Sequence, residues 1–348
     1  EPNKKEAAKG LTTDSLNVRN RIVNDALTFA LKSNPSPIYN KAYADRIKTG
    51  NFTDDIAKIA DVDWIIEVVV ENLDIKKVIY DQVEQYRSQG TLVSSNTSGI
   101  PIQLMAMGRS EDFNKHFCGT HFFNPPRYLK LLEIIPGPAT DQSVLNFHIE
   151  YGEKFLGKTT VLCKDTPAFI ANRVGIFGIM DTLRVVKQLN LTVEEVDKLT
   201  GPVVGRPKSA TFRTMDVVGN DTLIKVAQGL HHGLPKDEKN GVFALPELLQ
   251  KIEENKWYGS KSGSGFYKKV KDEKGKSNIL ALDLNTYEYR PQEKAKFATL
   301  EQTKSIDKVK DRFKTLLDGK DKAGDFYRQT YLNLFVYVYV FCVNNIKI

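Results

Sequence analysis

Hydrophobic positions divide the chain into a first part that alternates between strand and helix patterns and a second part that is mainly helical. Leu16, Ile22, Val23, Ala26, Leu27, Ala30 and Leu31 recur at helical spacing, which predicts an amphipathic helix over 14–33, stopped by Asn34-Pro35 and Ser36-Pro37. Trp64 to Val70 (WIIEVVV) is a nearly continuous β-branched run, the pattern of a parallel strand buried on both faces. A helix is predicted over 73–87, a short strand over 91–95, and a short helix over 101–107 that Pro101 can open. Two further strands, 117–123 and 129–135, flank Asn124-Pro125-Pro126-Arg127, which must turn or run extended. A helix over 142–156 and a strand over 159–163 complete an α/β layer pattern with a largely parallel sheet.

After Lys164 the alternation ends. Residues 167–189 suit a long buried helix, and Thr192 with Glu195 forms a capping box for a helix that ends before Gly201. Helices are also predicted over 215–229 and 245–256. KDEKGKSN followed by the alternating ILALDLNTYEYR suggests a loop and a hairpin, with helical patches from 297 onward. The expected division is therefore 1–163 (α/β), 164–270 (all-α) and 271–348 (hairpin or linker, then the start of a further helical domain).

Charge narrows the function classes a little. The net charge is +7, but 50 basic residues are interspersed with 43 acidic ones, and no nucleic-acid-binding motif accompanies them. A solvated surface, or a phosphate-rich small ligand, fits better than a nucleic-acid groove. Cys118, Cys163 and Cys342 form no CxxC pair and read as packed thiols in a reducing compartment, not as metal ligands. The first ten residues are too charged for a secretory signal, and Leu334–Val343 is far shorter than the roughly 20 residues that span a bilayer. A cytoplasmic protein with no membrane partner is expected.

The segment GTHFFNPPRYLKLLEII carries the most chemistry. His121 lies in an apolar strand that runs straight into a proline turn, and histidine is the side chain best suited to moving protons near neutral pH. Glu133 follows twelve residues later among Leu131, Leu132, Ile134 and Ile135, where a carboxylate needs a partner. If the two strands are neighbours, Glu133 can hold one imidazole nitrogen and leave the other to take a proton. A strand histidine is more often a hydrogen-bonded core residue, and Glu133 at an edge would simply face solvent. His116, His148, His231 and His232 read as surface or packing residues. Ser94–Gly99 (SSNTSG), between a strand and a helix, offers hydroxyls and N–H groups to an anion, or else a plain helix cap. Asn172, polar in an apolar helix, either faces a cleft or bonds its own backbone. Gly259, Gly263 and Gly265 do not sit in a βαβ unit, and GxGxxG occurs nowhere in the chain.

Taken in order, VVVEN (Val68–Asn72), SNTSG (Ser95–Gly99), GTHFFNPP (Gly119–Pro126), KLLEIIPG (Lys130–Gly137), KDTPAFIANR (Lys164–Arg173), GRPKSATFRTMDVVGND (Gly205–Asp221) and GSKSGSGFY (Gly259–Tyr267) closely resemble the 3-hydroxyacyl-CoA dehydrogenase family over roughly residues 8–270. Residues 297–340 weakly resemble the start of the second helical domain of multifunctional fatty-acid oxidation enzymes, whose hydratase domain has no counterpart here. The resemblance implies NAD-dependent oxidation of an acyl-CoA substrate. It makes His121 the base and Glu133 its partner, and places Ser98 and Asn172 on the reacting oxygen. Val69, Val70, Glu71, Lys76, Ser98 and Asn124 would then line the nicotinamide site, Ser15 would touch coenzyme A, and the helical domain would form a homodimer. Against the family's pattern, the opening strand, the GxGxxG turn and the second strand are missing. The expected fold is thus an incomplete Rossmann-type parallel sheet with exposed strand edges, followed by an all-α domain, and the sequence reads as truncated. The competing expectation is an inactive fragment that keeps acyl-CoA or partner binding.

Overall fold

The computed structural model describes residues 1–272 and 275–345. Glu273 and Lys274, inside the expected KDEKGKSN loop, lie outside the described residues, as does the side chain of Cys342. The chain forms two compact units, Glu1–Phe169 and Ile170–Asn345.

In the first unit, α1 (Lys4–Ala7), α2 (Leu16–Arg19) and α3 (Arg21–Lys32) precede the sheet. The single helix expected over 14–33 is broken at Asn20, which caps both pieces. The order then runs β1 (Trp64–Glu67), α4 (Leu73–Tyr86), β2 (Leu92–Ser95), α5 (Ile102–Ala106), α6 (Glu111–Lys115), β3 (Phe117–Phe122), β4 (Leu131–Pro136), α7 (Gln142–Lys154) and β5 (Thr159–Leu162). The sheet order is β1-β2-β3-β4-β5. Pairing is parallel except between β3 and β4, which are antiparallel. Their connection is too short for a crossover helix, so the second strand must return beside the first. This is a Rossmann-like, mostly parallel sheet.

Cys118, Leu132 and Ile134 pack with Val144 and Leu145 of α7. Strand alternation therefore sends Gly119, His121 and Glu133 to the opposite face. There α5 lies so close to β3 that a Cβ on Gly119 would sit 2.8 Å from Ile102 Cδ1. Tyr80, Phe113 and Phe117 form a buried ring cluster.

One expectation is corrected at β1. The run Trp64–Val70 is not a strand buried on both faces. Its strand stops at Glu67, lies at the sheet edge, and leaves Val68 and Val70 exposed. With a paired neighbour on one side, β1 has less cover than its sequence is written for.

The second unit holds α8 (Ala171–Leu189), α9 (Val193–Leu199), α10 (Phe212–Val218), α11 (Asn220–Gly233) and α12 (Glu247–Glu254), then β6 (Tyr267–Lys271), β7 (Ser277–Leu282) and β8 (Tyr289–Pro291), and finally α13 (Ala298–Gln302), α14 (Val309–Asp318) and α15 (Lys322–Asn345). The Thr192–Glu195 capping box is formed. The single helix expected over 215–229 is split at Gly219, whose φ of 106° a side chain would resist. The hairpin expected near 280 is a three-stranded antiparallel sheet.

The glycine-rich segment at 259–265 has a structural reason. Asp216 accepts the Phe266 and Tyr267 N–H groups at 2.9 and 2.8 Å, and side chains at Gly259 or Gly265 would overlap Asp216. Among the described residues no helix is long and apolar enough to cross a membrane.

Candidate active site

The turn after β3 brings β4 back in register, with His121 directly opposite Glu133. His121 Nδ1 lies 2.7 Å from Glu133 Oε2, and both side chains are buried. A carboxylate at Nδ1 fixes that nitrogen as the donor, so Nε2 is the one left to exchange a proton. Phe123 and Phe169 flank the imidazole, with ring centroids 4.5 and 5.6 Å away. Cys163 is buried, and burial with the Glu133 charge nearby pushes its thiol far up. Cys118 is likewise pushed up by burial, so both remain packed thiols.

The loops after β1 and β2 meet beside this pair. Asn96 Oδ1 accepts the Phe122 N–H at 2.9 Å, which ties the β2 loop to the strand that carries His121. Glu71 Oε1 accepts the Thr97 hydroxyl and the Ser98 and Gly99 N–H groups at 2.6, 2.9 and 3.1 Å. Partial burial alone would raise the Glu71 carboxyl. The Thr97 hydroxyl, the Lys76 charge and the Ser98 N–H outweigh it and hold the group below the usual carboxylate range. Asp165, beyond β5, accepts the Ile102 and Gln103 N–H groups at 2.9 Å each and so caps α5. Burial raises its carboxyl despite those bonds.

The candidate residues are thus placed as follows. His121 meets Glu133, and Ser98 meets Glu71. Lys76 is buried, 3.4 Å from Glu71 and 2.9 Å from Glu67. Val69 and Val70 lead from β1 to Glu71. Asn124 is exposed on the β3–β4 turn, and Ser15 stands at the N-cap of α2. Asn172 lies in the first turn of α8, in the second unit. Sequence reasoning passed over Glu67 and Tyr80, and took Thr97 and Asp165 only as members of SSNTSG and KDTPAFIANR. The available signal was an acid inside an apolar strand followed, nine residues on, by a lysine.

The family description "3-hydroxyacyl-CoA dehydrogenase, NAD binding domain" matches residues 7–166, and "3-hydroxyacyl-CoA dehydrogenase, C-terminal domain" matches residues 169–269. The chain belongs to the 3-hydroxyacyl-CoA dehydrogenase family. A probable 3-hydroxyacyl-CoA dehydrogenase of Bacillus subtilis is 49% identical over 92% of this chain, which spans 40% of that protein's length. A probable 3-hydroxyacyl-CoA dehydrogenase of Deinococcus radiodurans is 44% identical over 74% of each chain. The crystal structure of 3-hydroxybutyryl-CoA dehydrogenase from Escherichia coli has a TM-score of 0.62 at 26% identity, covering 72% of this chain and 52% of that one.

The NAD binding domain of this family member is the first unit's Rossmann-like sheet. The loops that carry Glu71 and Ser98 follow parallel strands at their carboxyl ends, where α/β sheets bind nucleotides. The glycine-rich pyrophosphate turn is absent from these 348 residues.

Proposed function

We propose that the protein oxidises L-3-hydroxyacyl-CoA to 3-oxoacyl-CoA with NAD+, as a step of fatty-acid β-oxidation. The observation that carries this reading is the buried His121–Glu133 pair at 2.7 Å, in a chain of this family. Glu133 keeps the proton on Nδ1, so Nε2 accepts the proton of the 3-hydroxyl. The imidazolium that results stands against the Glu133 carboxylate. Ser98 and Asn172 donate to the reacting oxygen as its bond to C3 becomes a carbonyl. NAD supplies the acceptor for the hydride that leaves C3. Val69, Val70, Glu71, Lys76, Ser98 and Asn124 belong to the nicotinamide end of the site, and Ser15 to the coenzyme A end. A cytoplasmic homodimer formed through the helical unit completes the reading.

The test is reduction of acetoacetyl-CoA followed by loss of NADH absorbance. His121→Gln should lower kcat about 10²–10⁴-fold, the usual worth of a positioned general base. A variant that keeps the original rate removes His121 from the mechanism. A second reading, acyl-CoA or partner binding without turnover, is favoured by the missing GxGxxG. Calorimetry separates the two. Micromolar NAD binding by the 348-residue chain supports turnover; acyl-CoA binding without measurable NAD binding supports the second reading.

A further inference from the structure

Glu67 and Lys76 form a buried ion pair, each side chain 1% exposed, and neither takes part in the proton or hydride step above. The Lys76 ammonium lies 2.9 and 3.0 Å from the two Glu67 carboxylate oxygens. The other donors to Glu67 are the Val69 N–H at 2.6 Å, the Tyr80 hydroxyl at 2.9 Å and the Ser95 hydroxyl at 2.6 Å. One carboxylate thereby joins the end of β1, the first turns of α4 and the end of β2. Desolvating such a pair costs several kcal/mol per ion, so its presence is poorly explained by stability alone.

The second contact of Lys76 gives the pair a purpose. Its ammonium is also 3.4 Å from Glu71 Oε2, while Glu71 Oε1 fastens the Thr97–Gly99 turn. Glu71 is 44% exposed, and Lys76 holds the oxygen that the turn leaves over. The Lys76 side chain is 1% exposed, and its ammonium is shared between Glu67 and Glu71.

We propose that Lys76 and Glu67 are positioning residues: the buried pair anchors Glu71, and Glu71 sets the turn that presents Ser98. This rests on the reading of Ser98 as a group that meets the reacting oxygen. A lysine in direct contact with cofactor would behave differently. Its loss would raise KM for NADH and leave the turn intact. Loss of a positioning lysine loosens the turn and lowers kcat.

Native-state amide exchange at Ser98 and Gly99 tests this without relying on activity. The variant is Glu67→Gln combined with Lys76→Met, which removes both charges together and strands neither. Exchange at the two amides should quicken at least about tenfold, with the β3 and β4 amides unchanged, and kcat should fall more than KM for NADH rises. Unchanged exchange overturns the proposal, and so does a rise in KM alone. If the double variant does not fold, Glu71→Gln keeps the buried pair and should give the same faster exchange; unchanged protection there is equally fatal. Lys76→Arg should restore slow exchange. Faster exchange in a protein that turns over no 3-oxoacyl-CoA upholds the anchoring and removes the functional reading. Slow exchange in a variant of an active protein does the reverse.

Discussion

His148 is buried without a hydrogen-bond partner for either ring nitrogen among the described residues. Its ring packs 4.8 Å from Trp64, with Phe147 beside it. Burial lowers its pKa from 6.5 to about 4. The folded protein then binds this proton less readily than the unfolded chain. Stability from His148 is complete above about pH 6.5 and is lost as pH falls toward 4, by about 3 kcal/mol in all. Urea unfolding followed by Trp64 fluorescence in a Trp257→Phe background should show that loss. His148→Leu should flatten the dependence over the same range, and an equal slope in both proteins would contradict the assignment. Single residues also show what the sequence could reveal. The His121–Glu133 pair was legible as one alternative, open if the proline segment turns and lays two apolar strands side by side, and the family resemblance singled it out. The Glu67–Lys76 pair was not, because an acid in an apolar strand reads the same whether it meets solvent or a lysine on the next helix. The family resemblance implies a place for Lys76 at the nicotinamide site, and the fold puts its charge between Glu67 and Glu71.

At the scale of elements, β3 and α5 fix the site between them. Gly119 lets α5 approach, because a Cβ there would meet Ile102 Cδ1 at 2.8 Å and Ile135 Cδ1 at 3.0 Å. Gly119→Val should therefore cost about 1–3 kcal/mol through overpacking, read as a lower urea midpoint with an unchanged slope. It should also lower activity, since α5 follows the Ser98 turn directly. An unchanged midpoint would mean that the helix has slack the packing does not show. Element types were readable from periodicity over most of the α/β part, with β3 and β4 the clearest, while the short helices α1 and α6 carry too few turns to show a period. Element context was less so. WIIEVVV has the composition of an interior strand, but composition carries no information on how many neighbours a strand finds, and β1 stands at the edge. Likewise Asn20 and Gly219 each split one expected helix in two, because a local backbone choice overrides a hydrophobic period that continues across it.

On the scale of the whole molecule, the division of the helical part is the point to test. The family's C-terminal domain matches up to residue 269, where the sequence pattern also suggests a boundary. The compact unit nevertheless runs on to Asn345. Leu282, Phe297, Leu300, Leu316, Phe326 and Tyr327 are buried in one core with Met180, Val193, Phe212 and Leu249. Arg290 donates to both oxygens of Glu194, at 2.8 and 3.1 Å, and Glu194 is 8% exposed. Burial would raise the Glu194 carboxyl, but Arg290 holds it below the usual range. A chain ending at residue 270 would strand that carboxylate and uncover the apolar face of α9. The lost apolar packing of six buried core side chains is the main cost, and the loss of the Arg290–Glu194 pair adds to it. Residues 1–270 should accordingly retain the first unit's unfolding transition and lose the second's. Calorimetry of the two lengths would decide it: a second unit that still melts cooperatively in the shorter chain would show that residues 271–345 decorate the core without completing it.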